Sequence, residues 1–98
     1  MSDITLEFPA WFEDQAWEVE SKGWLAGVVA VIGARRYSLV IYDPARLAQD
    51  VHEELRAGKV FFEPNLVVVP LVTRENIASA VQEIVRTGRV VDLRPDEP

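Results

Sequence analysis

Two apolar runs separated by a glycine turn constrain this chain more than anything else in it. Trp24–Ile32 (WLAGVVAVI) and Tyr37–Tyr42 (YSLVIY) flank Gly33-Ala34-Arg35-Arg36. Val28, Val29, Val31, Ile32, Val40, Ile41 and Tyr42 are β-branched or aromatic, the side chains that fit a pleated, half-buried surface. Runs this short, broken by a glycine, read as a hairpin rather than as one buried helix. Gly33-Ala34 suits a two-residue loop that needs a positive φ at its first corner. The sheet begun here is the frame on which the other elements must pack.

Upstream, Ile4–Phe8 alternates Ile4, Leu6 and Phe8 with Thr5 and Glu7, the period-two mark of a half-buried strand, and Pro9 stops it. Pro9–Lys22 supports two readings. Phe12, Ala16 and Val19 fall at helical spacing, with Gly23 as a stop; alternatively Ala16–Ser21 is extended, with Trp17 and Val19 on one side. The reading favoured is a short helix or turn followed by a strand-like run. Downstream, Asp43-Pro44 caps a helix with Leu47, Ala48, Val51 and Leu55 as its apolar stripe, ended by Gly58. Lys59–Glu63 (KVFFE) reads as a strand, Pro64-Asn65 as a turn and Leu66–Val69 as a buried strand. Thr73 caps a second helix with Ile77, Val81, Ile84 and Val85 inward, Gly88 ends it, and Arg89–Leu93 reads as a last strand.

Asp43–Val60 and Thr73–Val90 match at an offset of 30, with Ala48/Ala78, Val51/Val81, Glu53/Glu83, Arg56/Arg86, Gly58/Gly88 and Val60/Val90 identical. From Tyr37 the elements run strand, helix, strand, strand, helix, strand. That order predicts an α+β fold: a two-layer sandwich, its sheet mostly antiparallel, with two helices on one face. Its core would be a ferredoxin-like βαββαβ unit (37–93) carrying an N-terminal extension and an added hairpin strand. The hairpin already occupies one side of Tyr37–Tyr42, so Arg89–Leu93 would have to move to another edge or another subunit. Residues 1–93 would form a single domain, divided into an N-terminal segment (1–23) and an α+β core (24–93), with 94–98 a disordered tail.

The 98 residues carry a net charge of −6. Residues 1–23 hold six acids against one base, a net −5, so the remainder is nearly neutral. Without a net basic face the chain is a poor match for nucleic acid or an anionic membrane surface. The absence of cysteine excludes disulfides, thiolate metal sites and thiol catalysis. The N-terminus lacks the pattern of a signal peptide, and the longest apolar run is far shorter than the roughly 20 residues of a membrane span, so a cytoplasmic protein is expected.

Chemistry is sparse. His52 is the one histidine and falls on the flank of the first helix, with no serine or cysteine to form a nucleophile–base set. Glu13, Asp14 and Glu18, and Asp50, Glu53 and Glu54, are acidic groups without the loop spacing of a calcium site. No glycine-rich phosphate cradle is present. No catalytic residue, metal or cofactor is therefore expected. Arg35 and Arg36 at the hairpin tip could clamp an anion, and Asp43 stands where a strand meets a helix, a common place for an acid that works. All three tryptophans, Trp11, Trp17 and Trp24, occur before residue 25, more indole than one strand needs.

The first expectation is a small non-enzymatic protein-interaction domain, homodimeric or bound to another protein. Its interface would be the acidic, tryptophan-bearing segment with Trp11, Trp17, Glu13, Asp14, Glu18 and Glu20, together with the sheet. The exposed edge of Trp24–Ile32 would be covered by that segment or by a second copy. A second expectation is a small-molecule-binding domain, regulatory or catalytic, with its site near Arg35, Arg36, Asp43 and His52. A third is an acidic surface that neutralises a basic partner.

Overall fold

The computed structural model describes residues 3–96. Four strands, β1 (Ile4–Glu7), β2 (Trp24–Ile32), β3 (Arg35–Tyr42) and β4 (Leu66–Val68), lie side by side in chain order. The pairs β1/β2 and β2/β3 are antiparallel, and β3/β4 is parallel. Three helices, α1 (Ala16–Lys22), α2 (Pro44–Arg56) and α3 (Arg74–Arg86), complete an α+β domain built on a mixed four-stranded sheet.

The hairpin closes as its sequence requires. Ile32 pairs with Arg35 across Gly33-Ala34, and Gly33 takes φ 62°. The ladder zips up to the turn, so β3 starts two residues before its apolar run. Register then sorts the faces. Ile4 opposes Ile32, Leu6 opposes Ala30, Val28 opposes Leu39, Leu25 opposes Ile41, and Ile41 opposes Val67. A bulge between Ala26 and Val28 shifts the alternation by one residue, which keeps both Leu25 and Val28 in the core. Phe12, Val19 of α1 and Ile77 and Val81 of α3 pack onto this face.

The opposite face holds Trp24 and its partner Tyr42 at the end of the hairpin. There α2 docks through polar groups. The Tyr42 hydroxyl donates to Asp50 (2.9 Å), Arg46 pairs with Asp50 (2.9 Å), and the Arg46 guanidinium lies over the Trp24 ring at 5.8 Å. Arg46, Leu47, Asp50, Val51 and Glu54 are half-buried, whereas Ala48 and Leu55 face solvent. The inward side of α2 is thus rotated partway from the stripe its apolar residues trace, keeping Leu47 and Val51 and leaving out Ala48 and Leu55.

Several expectations change. The ferredoxin-like core is not formed, because two of its four strands are missing. Lys59–Glu63 has no ladder partner, and Arg89–Asp92 is a 3₁₀ turn. Gly88 reverses the chain there, and Val90 and Leu93 fold down onto the core. The two long helices serve opposite faces, so the two-layer arrangement does not describe the packing. Between Pro9 and Lys22 the chain makes a 3₁₀ turn (Glu13–Gln15) and then α1, since helical spacing buries Phe12 and Val19 together where an extended run could not. β2 is not an edge: β1 covers its second half, and α1 lies against it.

The segment expected as a loose tail is held through Asp96. Its backbone N–H donates to Arg36 O (2.8 Å), and its carboxylate accepts from Ser38 N and Oγ (both 3.1 Å). Arg94–Asp96 thereby continues the line of β4 along β3. Residues 97–98 of that tail lie outside the described residues.

Candidate interaction surface

The N-terminal segment is anchored by its apolar residues and by borrowed cations. Phe8 and Phe12 stack at 4.8 Å, and the Arg74 guanidinium covers both rings, 4.2 Å from Phe8 and 5.4 Å from Phe12. The same arginine pairs with Glu13. Across the sheet, Arg36 grips Glu7 with two hydrogen bonds (2.7 and 3.2 Å). This grip holds the Glu7 carboxyl below the usual carboxylate range, with the hydrogen bond from Arg36 as the main cause. Lys22 pairs with Glu18 (3.4 Å) on α1 itself. Part of the acidity concentrated in residues 1–23 is therefore neutralised by α3 and the hairpin, and exposed Asp14 and Glu20 make no ion pair among the described residues.

Helix α1 ends at Gly23, which adopts φ 74° and donates its N–H to Val19 O (2.9 Å). A side chain there would collide with the Asp43 carboxylate. That carboxylate caps α2 by accepting from Arg46 N (2.7 Å). The close approach sets the end of α1 against the start of α2 and fixes the position of Trp24 between them.

Beyond the last paired residue of β1, the flank of β2 from Trp24 to Ala26 has no strand beside it. A cavity of about 140 Å³ lies there, lined by Trp11, Gln15, Glu18, Val19, Lys22, Trp24, Leu25 and Ala26. Two indoles form walls, aliphatic side chains form the floor, and the Glu18–Lys22 pair stands at the rim. Trp11 is 46% exposed and Trp24 38%. Trp17, 72% exposed, is on the other flank of α1, beside a groove lined by Phe12, Glu13, Glu20, Arg74 and Glu75. Of the expected contact residues, Trp11 and Glu18 thus share the slot, while Trp17, Glu13 and Glu20 share the groove. Trp24 is only partly covered. Its position at the start of the strand, before the first core residue Leu25, was the signal that one face of its indole stays open.

The residues of the second expectation are not brought together. Arg36 is spent on Glu7, and Arg35 is exposed at the turn. Asp43 stands at the far end of β3, about 23 Å from Arg36 at 3.3 Å per strand residue. His52 is exposed on α2. Among the described residues, no group of three His, Cys, Asp or Glu is placed to hold a metal ion, and no helix is long and apolar enough to cross a membrane. Burial, then the hydrogen bond with Asp50, pushes the Tyr42 phenol up to about 12.

Comparison with protein-family models, with curated proteins and with solved structures found no match to this chain.

Proposed function

We propose that this chain is a non-enzymatic protein-interaction domain that receives a side chain of its partner between Trp11 and Trp24. One observation carries the reading: two indoles stand open around an apolar slot whose floor belongs to the core. Exposed tryptophans on a rigid frame are the usual anchors of protein contacts, because they bury much area with little entropy to lose. A volume of about 140 Å³ is of the order that takes one benzene-sized or aliphatic group. Glu18 at its rim, with Asp14 and Glu20 exposed elsewhere on the same segment, favours a partner segment with lysine or arginine beside that anchor.

Selection from a random peptide library on the immobilised protein tests this. Enriched peptides should carry one aromatic or branched aliphatic residue flanked by basic ones, and should lose at least tenfold in affinity for Trp11→Ala or Trp24→Ala. Enrichment that is indifferent to both substitutions sinks the proposal. The slot leaves the segment after α2 untouched, and self-association is a matter for that second surface.

A further inference from the structure

We infer that Lys59–Glu63 pairs antiparallel with the same segment of a second copy of this chain, forming a two-fold dimer independent of the tryptophan slot. The sequence KVFFE is strand-favouring throughout its centre. Yet no backbone N–H or C=O of Val60, Phe61, Phe62 or Glu63 has a hydrogen-bond partner among the described residues. Phe61 is covered between two exposed apolar neighbours. Val60 and Phe62 are each 79% exposed, whereas Phe61 turns in and meets the Tyr42 ring edge-on at 6.0 Å. An apolar strand with free backbone groups is a template for another strand.

Charge identifies the partner. Antiparallel self-pairing about Phe61 puts Lys59 opposite Glu63 of the other copy, twice by symmetry, and sets Val60 opposite Phe62. Parallel pairing would put lysine on lysine and glutamate on glutamate, which is unfavourable. Lys59 and Glu63 make no ion pair within the chain among the described residues. Glu63 also lines a cavity with Asp50, Glu53 and Glu54, so the incoming lysine of the second copy meets an acidic wall. The pairing is bounded. Pro64 has no N–H to extend the ladder, and Lys59 N is already bonded to Glu54 O (3.0 Å). A two-fold contact of this kind closes on itself rather than growing into a fibre. Five residues a side is a small interface, so the dimer should dissociate on dilution.

The test is solution mass by sedimentation equilibrium across a concentration series. The wild type should rise from 11.0 kDa towards twice that mass. Lys59→Glu and Glu63→Lys should each weaken the dimer about tenfold, because each sets two like-charged pairs face to face. Both side chains are exposed, so both variants should keep the wild-type circular dichroism, and the wild-type melting temperature at concentrations where all three are monomeric. An equimolar mixture of the two variants should dimerise as well as the wild type, since the acidic ends of one then face the basic ends of the other. A wild type that stays monomeric overturns the inference. So does a dimer that ignores both substitutions, or a mixture no better than either variant alone. Trp11→Ala should leave the dimer unchanged, and loss of the dimer in that variant would assign self-association to the slot instead.

Discussion

The Asn65 carboxamide clasps the Arg94 peptide at both ends: Oδ1 accepts from Arg94 N and Nδ2 donates to Arg94 O, both at 2.8 Å. Nδ2 also donates to Ser38 O (2.9 Å), so one side chain ties the last residues of the fold to β3. Asn65 does this from φ 57°, the left-handed region that asparagine tolerates better than most residues. Asn65→Asp keeps one acceptor, loses both donors and sets a charge against two carbonyls. It should cost about 1–2 kcal/mol, at the usual value of exposed hydrogen bonds. Urea unfolding should show a lower midpoint with an unchanged m-value.

Gly23 and Asp43 should be energetically coupled. Gly23→Ala strains a left-handed backbone and drives a methyl group into the Asp43 carboxylate, for a loss of at least ~2 kcal/mol. Asp43→Ala removes the α2 cap for about 1 kcal/mol. The double variant should lose roughly 1 kcal/mol less than the sum of the singles, because the collision has gone. Gly58→Ala is the control: its φ is also positive, but a methyl group there meets nothing within 4 Å. Additive losses at Gly23 and Asp43 would show that the backbone strain alone sets the cost.

Tyr42 should weaken the protein at high pH. Its phenol is held up to about 12, against an unfolded value near 10. The folded state therefore keeps a proton that the unfolded state gives up. This contribution is complete below about pH 10 and is lost as pH rises towards 12. Tyr42→Phe should cost about 1 kcal/mol at neutral pH, because Asp50 keeps its Arg46 partner. It should also flatten the alkaline limb of stability against pH, read by urea unfolding at successive pH values.

Phe12 and Trp17 separate an anchoring aromatic from an exposed one. Phe12 is buried between Phe8 and the core, and Phe12→Ala should cost about 3–5 kcal/mol. Trp17 is larger but stands in solvent, and Trp17→Ala should change stability by no more than about 0.5 kcal/mol. Melting temperatures of the two variants give the comparison directly. An exposed tryptophan whose removal is silent in stability is free to be read for binding.

The parts of the fold set by local rules were legible in the sequence. The hairpin, its Gly33 corner, both helix caps and the first strand follow from patterns within a few residues. The 30-residue internal match also has a structural counterpart. Helices α2 and α3 each run 13 residues and are capped by Asp43 and Thr73 through the third helical N–H. What the match could not carry is which face each helix meets. Ile77 and Val81 are buried in the main core, whereas the matching Leu47 and Val51 are only half-covered. The α2 docking is decided by Tyr42, Asp50 and Arg46, three residues whose meeting depends on the sheet and not on helical periodicity. Lys59–Glu63 and Arg89–Leu93 misled for one reason: strand propensity needs a neighbouring edge, and β3 had already given its two sides to β2 and to β4 with Arg94–Asp96. The tryptophan slot was legible as a cluster but not as a geometry, because Trp24 reaches it through register and Trp17 is carried away from it by the turn of α1.

The bonds between Asp96 and Ser38 also have a consequence in time. A ribosome makes Ser38 long before Asp96, which lies 58 positions further along the chain. At roughly 5–20 residues per second, that separation lasts about 3–12 s. Until Asp96 is made, the length of β3 next to Arg36 and Ser38 lacks the partner that covers it in the finished fold. The guanidinium of Arg36 and the hydroxyl of Ser38 stand along that length, polar groups where a sticky strand would be most exposed to other nascent chains. That part of β3 is therefore covered by a segment made well after the strand itself.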